Sequence, residues 1–368
     1  MKQRILSAFV LLLVPIASAQ VYTITDLGRL SPTAISTWGQ VVGNYNGRAY
    51  IWTFGHRRAL GLLRGGTFSS AAAINDFGVV AGTADGQGTV VSLNPDWPSQ
   101  QCNDLGQPFA WKQQMQGLGT VGPASDVEFI DPQIACDSPF YGAAINDLGQ
   151  IVGYTSVLSD DYAWAFLWTK SNGMSLFGTS FPPIFATAIS NTGEIVGISG
   201  GCATYWKNGV ATQLGGLPGS CDGVLSGANS VNDLGQIVGW SQTTSGCANG
   251  NTCFHAVTWS QSGTISDLGT LPGETESLAT KINLFGLIIG SSGSIIDGAS
   301  IFDQVPLEIV GHPFIWSERS GMQDLNALIP NSGWVLNSAS DINIWGQIVG
   351  SGTLNGQPHG FLLTPKGL

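Results

Sequence analysis

One segment constrains this chain more than any other: AAINDLGQIVG, Ala143 to Gly153, a copy of which returns along the whole sequence. Copies end at Gly43 (AISTWGQVVG), Gly82 (AINDFGVVAG), Gly153, Gly197 (AISNTGEIVG), Gly239 (SVNDLGQIVG), Gly290 (KINLFGLIIG) and Gly350 (DINIWGQIVG), seven in all. The apolar run ending in Ile145 alternates sides, Asn146 and Asp147 form turns readily, Gly149 tolerates positive φ, and Ile151 and Val152 resume a strand. Each copy therefore predicts a tight hairpin. Its first turn residue, Asn or Ser, accepts a hydrogen bond from the backbone two residues on.

The final glycines are separated by 39, 71, 44, 42, 51 and 60 residues. A period near 40 indicates a unit of about four short strands, and the longer intervals carry insertions. A second element follows each hairpin: RAYIW from Arg48, QPFAW from Gln107, WAFLW from Trp164, CATYW from Cys202, HAVTW from His255, HPFIW from His312 and HGFLL from His359. After the first six comes a third, near Ala59, Met115, Met174, Ala211, Ile265 and Met322. With the hairpin arms as strands A and B and the two later elements as C and D, the seventh unit ends at Leu368 without a D strand. ITDLG (Ile24 to Gly28), which precedes the first A strand, matches ISDLG (Ile265 to Gly269) and supplies it.

The expected fold is thus all-β, a seven-bladed β-propeller of four-stranded blades closed by residues 22–28 completing the C-terminal blade. Closing the ring removes the open sheet edges. The blades centre on residues 30–62, 69–119, 141–178, 184–215, 226–269, 277–325 and 335–363. The C-strand tryptophans Trp52, Trp111, Trp168, Trp206, Trp259 and Trp316 are expected to pack between neighbouring blades.

Residues 1–19 combine Lys2 and Arg4, an apolar run from Ile5 to Ile16 and the small residues Ala17-Ser18-Ala19, which is the pattern of a secretory signal peptide. The expectation is a secreted chain, extracellular or periplasmic, with one propeller domain over 20–368. No later stretch reaches the roughly 18 consecutive apolar residues of a membrane span. The formal net charge is −11, and −13 once Lys2 and Arg4 are removed, so phosphate backbones are repelled and nucleic acid is excluded as a partner.

Successive antiparallel strands alternate ends, so A–B and C–D turns share one face of the disc and B–C and D–A connections the other. The first carries short turns. The second receives the insertions 83–106, 120–141, 241–253 and 291–310, and loops on a rigid scaffold are where binding is usually built. That insertion face is the expected working face. Its candidate binding residues are the acids Asp126, Glu128, Asp131, Asp160, Asp161, Glu274 and Glu276 and the aromatics Trp97 and Trp334. The acids could supply oxygen ligands for calcium, but none has an EF-hand spacing, so no cofactor or metal is assigned. The six cysteines behind a leader imply disulfides, and their layout favours Cys102 with Cys136, Cys202 with Cys221 and Cys247 with Cys253.

Catalytic motifs are thin. His255, His312 and His359 occupy one repeat position, and His56 stands apart beside Arg57 and Arg58 in a short outer turn. The aspartates Asp76, Asp147 and Asp233 recur with the repeat as turn residues. No nucleophile elbow, HExxH or phosphate loop occurs, and no catalytic residue is assigned.

The alternation of AxINxxGxIVG, HAFLW-like and DLG segments resembles the HAF-repeat family of extracellular bacterial repeat proteins. HAVTW and HPFIW carry the namesake strand, and GTLPG (Gly269 to Gly273) is similar to the family's GTLGG continuation. The resemblance spans the mature chain, with CATYW and HGFLL as departures. It implies secretion and a propeller-like repeat, and no reaction. Two functions fit: a non-catalytic binding or surface-interaction module for a glycan, cell-wall material or a protein, or a propeller enzyme acting on polysaccharide through loop carboxylates.

Overall fold

A computed structural model of the chain describes residues 22–91, 100–102, 106–121, 140–156, 163–177, 184–217, 221, 223–245, 247, 252–260, 263–295, 309–330 and 332–367. Its strands form seven four-stranded antiparallel sheets arranged as blades around a ring: a seven-bladed β-propeller. In six blades the four strands follow chain order from the axis outward, as in blade four, Ile184–Ile189, Ile195–Ser199, Cys202–Lys207 and Val210–Gln213.

Blade seven is assembled from both ends of the chain. Its inner strands are Trp334–Ile342, Ile348–Leu354 and Gln357–Pro365, and its outer strand is Tyr22–Asp26. The register runs from Tyr22 opposite Pro365 to Asp26 opposite Phe361, and two bonds extend it, Leu27 N–H to Gly360 O at 2.9 Å and Gly360 N–H to Gly28 O at 2.8 Å. Closure by the N-terminal strand is as the missing D element required.

All seven A strands carry a β-bulge at the same place, between Pro32 and Ala34 in blade one and between Gly142 and Ala144 in blade three, for example. The bulge turns a strand-A carbonyl toward strand B, and the residue there is the last glycine of the repeat. A Cβ on Gly153 would fall on the Tyr141 carbonyl and 2.8 Å from the Phe166 ring; Gly290 and Gly350 meet the same pair of groups. That glycine is therefore required by close approach. Gly149, in the turn, has φ 74° and is required by conformation instead.

The core lies between blades. Val42, Ala49 and Ile51 of blade one pack with Ala71, Ile74, Phe109 and Trp111 of blade two. Each C-strand tryptophan lies in such a seam: Trp206 between blades three and four, Trp259 between four and five, Trp316 between five and six. Burial of Trp111, Trp206 and Trp259 contributes about 2 kcal/mol each, and the partly buried Trp52, Trp168 and Trp316 less. Buried serines at the head of strand A add polar ties. Ser277 accepts from Ala256 N–H of the preceding blade at 2.8 Å and donates to Gly269 O, and Ser69 and Ser226 repeat the arrangement.

Two short elements were not expected from the repeat. The insertion of blade two forms its own three-stranded sheet from Gly88–Val91, Gln100–Cys102 and Thr120–Val121. A 3-10 turn, Leu325–Leu328, follows the blade-six D strand and is capped by Asp324, whose carboxylate accepts from Asn326 N–H at 2.8 Å.

Candidate functional site

The hairpin turns build a ring around the axis. In each Asn-containing turn except that of blade three the Oδ1 accepts from the residue two positions on, as in Phe77 N–H to Asn75 at 3.1 Å and Trp345 N–H to Asn343 at 3.1 Å. In blade three the Asn146 Oδ1 accepts instead from Gln150 N–H, four positions on. The amide Nδ2 reaches across to the next blade. Asn75 donates to Asn146 O, Asn146 to Ser190 O, Asn232 to Asn283 O, Asn283 to Asn343 O and Asn343 to Ser36 O, at 3.0 to 3.1 Å. The last of these closes the circle between blades seven and one.

Below this polar ring lies a collar of buried Ile35, Ile74, Ile145, Ile189, Val231 and neighbours, and together they enclose an axial well of about 230 Å³. The rim is set by the next turn residue. Asp76 accepts from Thr37 N–H at 2.7 Å, Asp147 from Asp76 N–H at 2.9 Å, and Asp233 from Asn191 N–H at 2.7 Å. Asn191 Nδ2 lies 3.0 Å from both Asp147 and Asp233. The recurring aspartates are turn residues, as read from the repeat, and they also ring the mouth of the well. Deeper in the well Asp341 accepts from Ile35 N–H at 2.9 Å, and burial raises its carboxyl above the usual range although the Lys281 charge and two backbone N–H groups oppose the shift.

The third turn residue points to solvent, and it is apolar in six of seven blades. Trp38 is 66% exposed, Phe77 66%, Phe285 72% and Trp345 49%, with Leu148 and Leu234 completing a crown that only Thr192 interrupts. The aromatics fall on consecutive blades, six, seven, one and two, and so follow an arc around the axis. Trp345 Nε1–H donates to Thr37 O at 3.1 Å, which fixes that ring against the neighbouring turn. Sequence reasoning passed over these four residues because it weighed loop length. The available signal was an apolar residue at a hairpin tip, where solvent favours a polar one.

On the insertion face, Trp97, Asp126, Glu128, Asp131, Asp160, Asp161 and Cys136 lie outside the described residues. Three candidates are described, and each has a separate partner. Glu274 Oε1 accepts from His312 Nδ1 at 2.7 Å. Glu276 accepts from Ile295 N–H at 2.7 Å; burial raises its carboxyl, with that hydrogen bond and His255 opposing. Trp334 packs edge-on against His359 and Phe361, 6.1 and 6.2 Å between centroids, and belongs to the core of blade seven.

The repeat histidines act as struts. His359 pairs with Asp26 at 2.8 Å and His255 with Asp267 at 2.9 Å, each tying strand C to strand D. Burial alone would raise the Asp267 carboxyl, but the His255 bond and the Gly269 N–H hold it below the usual carboxylate range. The disulfides Cys202–Cys221 and Cys247–Cys253 form as their layout suggested, with Cα separations of 5.8 and 5.6 Å. Among the described residues no cluster of His, Cys, Asp or Glu could hold a metal ion, and no helix is long and apolar enough to cross a membrane.

No protein-family model matches the chain, and no curated protein matches it at a significant level. Solved structures do resemble it in shape. A selenomethionine-substituted virginiamycin B lyase from Staphylococcus aureus aligns over 93% of this chain and 99% of its own, with 9% identity and a TM-score of 0.51. An oligogalacturonate lyase in complex with manganese aligns over 95% of each chain, with 10% identity and a TM-score of 0.52. At such identities the likeness establishes the propeller scaffold alone, because function resides in sites grafted onto it.

Proposed function

We propose that this chain is an exported, non-catalytic propeller that binds a glycan across its hairpin face. Sugar rings lie on the arc Phe285, Trp345, Trp38 and Phe77, and hydroxyls donate to the carboxylates at the mouth of the well. The observation that carries this reading is the arc itself: four exposed aromatics on consecutive blades beside a rim of Asp76, Asp147 and Asp233. A flat apolar ring matches the C–H face of a pyranose, and convergent acceptors beside it orient the hydroxyls. The disulfides support export. Secretion behind the leader and membership of the HAF-repeat family are part of the same proposal.

An enzyme acting on polysaccharide is the alternative. It loses support where Glu274 and Glu276 are engaged by His312 and by the Ile295 amide. The test is binding of the mature chain to immobilised glycans. Trp38→Ala and Phe285→Ala should each weaken binding about threefold to tenfold while leaving the melting temperature unchanged. Binding insensitive to both variants but lost on trimming 291–310 would return the site to the insertion face. Turnover abolished by a single Asp or Glu change would establish the enzyme.

A further inference from the structure

The chain is acidic overall, yet five of its seven arginines are gathered in one stretch. Between Leu27 and Asn75 there are five arginines, Arg29, Arg48, Arg57, Arg58 and Arg64, and no Asp or Glu, in a protein of net charge −11. Among the described residues no arginine is in an ion pair with a carboxylate. Two of them are held by aromatic faces instead. Arg57 lies 5.0 and 4.9 Å from the ring centroids of Tyr45 and Tyr50, and Arg58 lies 4.7 Å over Trp111 of the next blade. Cation–π stacking positions a guanidinium without neutralising it.

Arg58 sits on the outer strand of blade one, His56–Ala59, where it faces a cleft of about 450 Å³ shared with blade two. The cleft opens on the hairpin face. Lys112 adds a second cation, His56 an imidazole, and Gln40 and Gln113 two primary amides. Phe77, the last aromatic of the arc, stands on its edge. The volume is in the range of small-ligand sites.

We propose that this cleft takes an acidic sugar unit, a hexose carrying a carboxylate or a sulfate. The anion meets the planar fork of Arg58 and the ammonium of Lys112, the amides serve the ring hydroxyls, and Phe77 covers one face of the ring. Trp111 is a positioning residue, since it holds the guanidinium plane. The inference deepens the glycan reading, on which it rests: a chain laid along the arc ends at this cationic cleft. Two amides and an exposed aromatic continuing a row of aromatics favour a saccharide over an acidic peptide.

The test is calorimetric titration of the full mature chain with oligosaccharides of equal length that are uronic, sulfated or neutral, and with oligoglutamate. At least one acidic oligosaccharide should bind about tenfold more tightly than the neutral one, and the advantage should shrink as salt shortens the Debye length. Whether the uronic or the sulfated one prevails tells carboxylate from sulfate. Arg58→Gln and Lys112→Gln should each remove most of the preference with melting unchanged, whereas Phe285→Ala should weaken neutral and acidic ligands alike. No acidic preference, a preference that survives the Arg58→Gln/Lys112→Gln double variant, or oligoglutamate binding as tightly as the saccharides overturns the inference. Neutral glycans bound through the arc without acidic preference would leave the functional reading standing. Acidic preference lost with Arg58 but indifferent to Phe285 and Trp38 would leave the cleft standing and remove the arc.

Discussion

At the scale of single residues, the repeat uses glycine for two unlike reasons, and substitution separates them. Alanine at Gly149 meets nothing within 4 Å, so its cost is the positive φ alone, about 1 to 2 kcal/mol. Alanine at Gly153 meets a backbone carbonyl and an aromatic ring that cannot both move, so the expected loss is about 3 kcal/mol. Urea denaturation should rank Gly153→Ala well below Gly149→Ala. The turn glycine was legible in the sequence from its Asn-x-x-Gly context. The reason for the other was not, because it depends on a bulge in the partner strand. Glu194 carries the pH dependence at this scale. It stands where other blades place Gln150, Gln236 and Gln347, each of which accepts from its turn Asn, and it instead meets Lys207 at 2.8 Å. Burial alone would raise its carboxyl, but the bonds from Lys207 and Thr192 and the lysine charge hold it below the usual range. A carboxyl depressed in the folded state stabilises above its unfolded pKa, and that contribution fades as pH falls through the folded value. Wild type should therefore exceed Glu194→Gln in urea midpoint at neutral pH, with the gap closing below the ordinary carboxylate range.

At the scale of elements, blades are joined by ties between strand A of one and strands C and D of the blade before it. Ser226→Ala removes both the acceptor for Ala203 N–H and the donor to Gly215 O in a buried seam, and should cost about 1 to 3 kcal/mol by thermal denaturation. The Cys202–Cys221 bond acts on the same link and closes a loop of 19 residues, whereas Cys247–Cys253 spans 6. Loop-closure entropy gives roughly 3 and 2 kcal/mol, so replacing the first pair by alanine should lower the melting temperature more than replacing the second. Both pairings could be read from sequence because a cysteine at a strand head and another in the adjoining link are bound to meet once the repeat is drawn. The sheet inside the blade-two insertion could not, since Gly88–Val91 and Thr120–Val121 pair in parallel across intervening strands of the blade.

At the scale of the whole molecule, the ring depends on a strand of five residues taken from the start of the chain. Tyr22 and Leu27 are buried, and Tyr22–Asp26 covers the edge of Gln357–Pro365. Deleting residues 22–28 should expose that edge and its apolar face, lower the melting temperature by roughly 10 °C and produce higher oligomers on size-exclusion chromatography. A monomeric truncation with unchanged melting would show that the ring is held without this strand. The proposed binding face is also a property of the whole. Trp38, Phe77, Phe285 and Trp345 are far apart in the chain and become neighbours in an arc only because blades six, seven, one and two are consecutive around the axis.

The number of blades, their strand order, the split seventh blade and the seams where tryptophans pack were all legible along the chain, because each follows from a local pattern repeated seven times. Which turns crowd the axis, how the asparagine amides reach from blade to blade and where Arg58 of blade one meets Lys112 and Trp111 follow from the three-dimensional packing. The physical reason is that periodicity is written in neighbours along the chain, whereas a surface is made of residues that share nothing but their position around the ring.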